Sequence, residues 1–166
     1  MKPLHDITVI LEDIRSALNV GAIFRTSDGA SINKLYLTGI TPYPPHNRIP
    51  KTALGAIDTV VWEYKKDTME CVKQIVKDRP ILAIEITPEA VAYSDYDFPE
   101  PVAIVMGNEI SGISKNVLSL CTATIKIPMY GSKESLNVAT AYGIIIYEIV
   151  RQYNVRINNA KNNRRD

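Results

Sequence analysis

Apolar residues fall into short runs, separated by polar, glycine- or proline-bearing stretches. Residues 7–11, 34–38, 59–64, 81–86, 102–106 and 123–127 are compact, largely β-branched runs and predict buried strands. Between them apolar residues recur at helical spacing. Residues 20–28 predict a helix with Asn19 as its N-cap, 67–77 carry Met69, Val72 and Val76 on one face, and 135–151 predict a long helix. Strands alternating with helices predict a mainly parallel α/β sheet with helices on both faces.

Three stretches break the alternation. Residues 39–50 hold Pro42, Pro44, Pro45 and Pro50, which forbid regular structure and predict a long loop. Loops of that length in compact domains are functional or mobile. Residues 88–101 are an acidic, proline-containing connection, and 158–166 are polar and basic, a fraying tail. The chain therefore reads as one domain over 1–155 and a basic tail over 156–166.

The last helix carries two apolar stripes. Leu136, Ala139, Gly143, Ile146 and Val150 form one; Val138, Ala141, Tyr142, Ile145 and Ile149 form the other. A surface helix needs only one, so two faces of this helix are to be buried. In a short chain the second partner is expected to be another copy, making a homodimer. A central helix buried within one domain is the alternative.

Composition narrows the class. A length of 166 residues suits one domain, and 46% apolar residues exclude global disorder. A net charge of +1 does not by itself point to nucleic acid. Cys71 and Cys121 form no C-x-x-C pair, which argues against a disulfide framework or a zinc site and for a reducing, cytoplasmic setting. The N-terminus has no apolar signal region, and no apolar run is long enough to span a bilayer.

Three segments carry candidate chemistry. In Asn19-Val20-Gly21-Ala22-Ile23-Phe24-Arg25, helical spacing puts Gly21, Ala22 and Arg25 on one stripe: two minimal side chains beside a long cation. A ligand or a second backbone could approach there. A helix packed tightly on a neighbour, with Arg25 in a surface ion pair, fits the spacing equally. The strand at 102–106 runs into Gly107-Asn108-Glu109-Ile110-Ser111-Gly112, a turn at the carboxyl end of a parallel sheet, where α/β folds bind ligands. It lacks the Gly-Lys-Ser/Thr ending of a P-loop and the G-x-G-x-x-G fingerprint. A plain strand-to-helix turn is the alternative. Ile127-Pro128-Met129-Tyr130-Gly131-Ser132-Lys133-Glu134-Ser135-Leu136-Asn137 feeds a helix N-terminus, where Ser135 can cap and Asn137 can hydrogen-bond a ligand.

Taken in order, N-V-G-A-I-F-R, V-M-G-N-E-I-S-G-I-S and I-P-M-Y-G-S-K-E-S-L-N-V-A-T-A resemble the three motifs of the SpoU/TrmH family, within the SPOUT superfamily of RNA methyltransferases. The proline-rich loop and the L-G-A segment after it are similar too. The resemblance implies a SPOUT-type α/β domain with a C-terminal trefoil knot, which sequence rules alone would never propose. It implies S-adenosylmethionine as methyl donor, no metal, and a pocket including Gly107, Ile127 and Leu136, with Met106 and Met129 alongside. Arg25, Asn19, Glu109, Ser135 and Asn137 match the family's catalytic and substrate-site positions. Family members of this type are dimers, in which the arginine works beside the donor bound to the other subunit. The implied reaction is methyl transfer to a ribose 2′-hydroxyl of tRNA or rRNA. The family makes the arginine a general base. Free arginine has a pKa above ~12, so contact with a phosphate and stabilisation of a developing alkoxide suit Arg25 better.

RNA contact is expected to be mostly electrostatic, through Arg15, Arg48, Lys51, Arg156, Lys161, Arg164 and Arg165, each of which also reads as a solvated surface charge. Little chain precedes the first motif, so no appended RNA-binding domain is expected. Two other readings stand beside the first: a catalytically silent RNA- or ribosome-binding knot protein, and a methyltransferase acting on a base.

Overall fold

The computed structural model describes residues 4–163. Its strands are β1 (Ile7–Glu12), β2 (Lys34–Thr38), β3 (Trp62–Lys65), β4 (Ile81–Ile84), β5 (Val91–Ala92), β6 (Val102–Met106) and β7 (Ala123–Lys126). Its helices are α1 (Ala17–Gly29), α2 (Pro50–Ala53), α3 (Thr68–Ile75), α4 (Lys115–Leu118) and α5 (Val138–Asn162). The strands form one seven-stranded sheet in the order β3-β2-β1-β6-β4-β7-β5, and every neighbouring pair is parallel.

The predicted sheet covered on both faces is what forms. Ile7, Val9 and Leu11 of β1 enter one core with Val102, Ile104 and Met106 of β6. Ile10 enters the other with Ala103 and Val105. This is the two-residue period of a strand buried on both sides. Helices α1 and α5 contribute to the first core, α3 and α4 to the second. Inside the first core, Ser27 of α1 and Tyr142 of α5 share a buried hydroxyl hydrogen bond of 2.7 Å. No helix among the described residues is long and apolar enough to cross a membrane.

Several boundaries differ from the sequence reading. Helix α1 begins earlier than predicted: Ser16 is its N-cap, accepting from the Asn19 amide, so Asn19 lies inside the first turn. Two cap-type residues compete there, and the first wins because Ala17 and Leu18 are good helix formers. Helix α5 begins later. Its N-cap is Asn137, whose Oδ1 accepts from the amides of Ala139 and Thr140, and Ser135 stands outside the helix. At its far end α5 continues through Asn162, so the expected fray at 158 does not occur there. Arg156 helps hold that end: it donates to the Phe98 carbonyl at 2.7 Å and pairs with Asp97. Residues 59–61 leave the third strand, because Thr59 turns to donate to Asp28 and the Ala56 carbonyl.

A parallel sheet collects its carboxyl ends at one edge. The connections after β1, β4, β6 and β7 therefore emerge side by side. Strand order also reverses between β1 and β6: β2 and β3 extend one way, β4, β7 and β5 the other. Ligand crevices open at such switch points.

Candidate active site

The turn after β6 is built by its own backbone. Asn108 and Gly112 form a small antiparallel bridge, with N–H to O distances of 3.2 and 2.9 Å. The Asn108 side chain closes it, accepting from the amides of Ile110 and Ser111 and donating to the Asp13 carbonyl at 2.7 Å. Gly107 is required here. A Cβ at that position would lie 2.5 Å from backbone atoms of Gly112 and Ile113.

That turn carries Glu109 across the switch point to the segment after β1. Its carboxylate accepts from the Arg15 amide (2.8 Å), the Ser16 amide (3.1 Å) and the Asn19 side chain (3.1 Å). The Asn19 Oδ1 in turn accepts from the Asn137 amide group at 3.1 Å. Glu109, Asn19 and Asn137, drawn from three separate motifs, thus form one hydrogen-bonded chain. Partial burial works to raise the Glu109 pKa, but the hydrogen bonds from Arg15, Ser16 and Asn19 outweigh it and hold the carboxyl below its ordinary value. Glu109 is a fixed acceptor and a poor proton donor.

Beneath this chain lies a cavity of about 280 Å³. All five residues expected at the cofactor line it: Met106 and Gly107 at the end of β6, Ile127, Met129 and Leu136 after β7. Glu109, Ser135 and Asn137 also line it. Arg25 does not. It is exposed on α1, and among the described residues its side chain makes no hydrogen bond or ion pair. The gap expected beside Gly21 is filled by protein rather than open to a ligand: a Cβ there would meet Thr52 Oγ1 at 2.1 Å and the Ile49 carbonyl at 2.4 Å. Tight packing against α2 explains that glycine.

Two charged residues that line the cavity, Glu85 and Lys126, escaped the sequence reading. Glu85, just after β4, lines the cavity, and its carboxylate is oriented by the amides of Ile86 (2.9 Å) and Ile113 (3.0 Å). An oriented carboxylate in a cavity of mixed polar and apolar lining can accept from sugar hydroxyls or an amine. Only the adjacency of β4 and β6 places it there.

Of the expected RNA contacts, Arg15 and Arg48 border a second cavity. Lys51 and Lys161 are exposed, Arg156 is engaged with Asp97 and Phe98, and Arg164 and Arg165 lie outside the described residues.

Residues 6–147 match the SpoU rRNA methylase family. Among curated relatives, the tRNA (guanosine(18)-2′-O)-methyltransferase of Escherichia coli strain K12 is 31% identical over 148 residues, 89% of this chain and 64% of that protein. The enzyme of the same name from Aquifex aeolicus is 31% identical over 156 residues, 91% of this chain and 72% of that protein. The chain thus spans less than two thirds of the length of the Escherichia coli relative. Among solved structures, the Aquifex aeolicus TrmH/SpoU tRNA modifying enzyme superposes with a TM-score of 0.84 at 28% identity, covering 93% of this chain and 79% of that one. The SpoU methyltransferase AviRb from Streptomyces viridochromogenes, in complex with the cofactor AdoMet, superposes with a TM-score of 0.82 at 25% identity, covering 90% of this chain and 61% of that one.

Proposed function

The chain belongs to the SpoU rRNA methylase family, and from that membership we propose that it transfers a methyl group from S-adenosylmethionine to a ribose 2′-hydroxyl of tRNA or rRNA. The observation that carries the reading is the hydrogen-bonded chain Glu109–Asn19–Asn137 at the mouth of the switch-point cavity. Its relatives' names support it: two are tRNA 2′-O-methyltransferases, and a structural neighbour holds AdoMet.

The cavity suits such a donor. Met106, Ile127, Met129 and Leu136 offer apolar walls to the base and the aliphatic part of the sulfonium chain, and Glu85 offers an oriented acceptor to ribose hydroxyls. S-adenosylmethionine supplies a methyl group that is already electrophilic, so the protein's task is alignment and charge stabilisation. Glu109 fixes Asn19 by accepting from its amide group, and Asn19 fixes Asn137 in the same way. Asn137 and Ser135 border the cavity and are assigned to holding the incoming ribose. Arg25, a permanent cation, is assigned to the adjoining phosphate and the developing alkoxide. Because Arg25 stands away from the cavity of its own chain, Arg25 of a second copy is assigned to complete the site. A homodimer packed through the outer face of α5, where Tyr147 is 51% exposed, belongs to the same proposal. So do the C-terminal knot and a reducing, cytoplasmic setting; the unpaired Cys71 and Cys121 suit the latter.

The test is Arg25→Ala. Transfer of labelled methyl to unfractionated RNA is expected to fall at least 100-fold, with S-adenosylmethionine affinity by titration calorimetry unchanged. Full activity in the variant would overturn the role. Nucleoside mass spectrometry of the product distinguishes ribose from base methylation, and a wild-type protein that binds no methyl donor would be the silent RNA-binding reading.

A further inference from the structure

The proline-rich loop is pinned at many points. The Ile40 amide donates to Asp13 at 2.9 Å, and Thr41 accepts from the Ile14 amide and donates to the Leu11 carbonyl. Tyr43 stacks on Tyr64 with ring centroids 4.0 Å apart, and Ile49 is fully buried. This anchoring holds the tip of the loop, with His46 and Arg48, opposite Arg15 and Leu18 at the start of α1. Between them is a cavity of about 400 Å³, inside the range of about 300–1,000 Å³ usual for ligand sites.

Its chemistry is one-sided. Arg15, Arg48 and His46 line it, with no acidic residue. Among the described residues neither guanidinium is ion-paired. His46 Nδ1 accepts from the Arg48 amide at 3.3 Å, which leaves Nε2 to carry the proton and donate. The wall is therefore built of donors and cations, and concave cationic surfaces concentrate anions. Guanidinium forks match phosphate oxygens in particular. The position of the cavity is as telling as its charge. It shares Arg15 and Ser16 with the Glu109 chain: their amides hold Glu109, while both residues also border the second cavity.

We propose that this second cavity is a subsite for a backbone phosphodiester of the RNA, close to the nucleotide presented to the Glu109–Asn19–Asn137 chain, gripped by Arg15, Arg48 and His46. The inference rests on the RNA reading of the neighbouring site. It also gives the proline-rich loop a purpose: the loop is a rigid jaw that carries two donors to a fixed place. One subsite next to the reacting ribose would set the register of the strand, as phosphate contacts do elsewhere.

The test compares Arg48→Ala, Arg15→Ala and the pair with Lys73→Ala, an exposed cation on α3 that does not line the cavity. Binding of fluorescently labelled unfractionated tRNA is measured by anisotropy from 50 to 300 mM salt, together with methyl transfer to unfractionated tRNA and rRNA. Arg48→Ala and Arg15→Ala are each expected to weaken binding about 5- to 10-fold and to flatten the log–log salt slope by about 1. The pair is expected to lose less than the product of the two, because both grip one phosphate. KM for RNA should rise, with S-adenosylmethionine affinity and Tm unchanged. Affinity and slope in Arg48→Ala equal to those of Lys73→Ala, or a strictly multiplicative pair, would overturn the subsite, as would a wild-type protein that binds no RNA. Loss of methyl transfer in the wild type with RNA binding intact would count against the proposed function alone. Competition by millimolar inorganic phosphate that is abolished in Arg48→Ala would support the phosphate chemistry directly.

Discussion

Two of the loops that wall the switch-point cavity are made in opposite ways. Residues 107–112 are cross-braced: a backbone bridge, an Asn108 side chain bonded at both ends, a Glu85 carboxylate under Ile113, and a Glu109 carboxylate tied to the chain after β1. Residues 128–136 make no hydrogen bond within the described chain, and 130–135 are exposed. Only at Asn137, where α5 begins, is that segment anchored. The first wall is preorganised by the fold. The second contributes Met129, Ser135 and Leu136 to the cavity without being held by the rest of the chain. The difference teaches that the walls of this cavity are half braced frame and half unbraced cover, an arrangement suited to a ligand that must enter and leave.

The strongest way to break the comparison is to disturb the rigid wall. In Gly107→Ala the new Cβ would sit 2.5 Å from the backbone of Gly112 and Ile113, and backbone cannot swing aside as a side chain can. The loop must move as a body. A loss of about 1–3 kcal/mol in urea unfolding is expected, as for overpacked interiors, with S-adenosylmethionine affinity lower by at least tenfold. Retention of wild-type stability and affinity would mean that this wall is as pliant as the other.

How far each wall could be read from sequence follows from the same contrast. The strand 102–106 was legible because a run of only five apolar residues, bounded by Pro101 and Gly107, fits a strand buried on both faces, and each is buried. The motif residues Asn19, Glu109 and Asn137 were legible as candidates through their resemblance to a family, but their mutual bonding was not. It depends on β1 lying beside β6, a pairing between residues about 95 positions apart. Glu85 was invisible for the same reason, since nothing local distinguishes a glutamate at a strand end. Cap choice failed at both functional helices, where several residues of cap type stand within one turn and packing selects among them. The proline-rich loop was recognised as long, but its rigidity comes from Thr41, Tyr43 and Ile49 meeting partners elsewhere in the fold. The basic tail misled because composition is a weak guide where Arg156 finds Asp97 and Phe98 and extends the helix.

A smaller effect is expected from Glu109→Gln, which tests whether the rigid wall is held by charge. The amide nitrogen of glutamine would face the donating amides of Arg15 or Ser16 in place of an acceptor oxygen. The site is solvent-accessible, so the cost at pH 7 is expected near 1 kcal/mol rather than the larger penalty of a buried mismatch. Its pH dependence carries the sign. The folded pKa of Glu109 is lowered, so its stabilisation is complete above the ordinary glutamate value and is lost as pH falls through the depressed folded value. Wild type and Glu109→Gln should therefore differ at pH 7 and converge in strongly acidic urea melts. A difference that grew toward acid would reverse the assignment.

The smallest effect belongs to the adaptable wall. A Cβ at Gly131 meets nothing within 4 Å, and its φ is not among the positive ones. Gly131→Ala should therefore leave unfolding stability within about 0.5 kcal/mol of wild type, as for other open surface sites. Yet alanine restricts the conformations that residues 128–136 sample when nothing is bound. If that segment orders around the methyl donor, removing glycine's freedom saves about 0.4–1 kcal/mol of ordering entropy. By the usual 1.4 kcal/mol per tenfold, that is a two- to fivefold gain in S-adenosylmethionine affinity. Titration calorimetry of Gly131→Ala would read it. An unchanged affinity would mean that the exposed wall is already as ordered as the braced one, and the contrast between the two loops would reduce to solvent exposure alone.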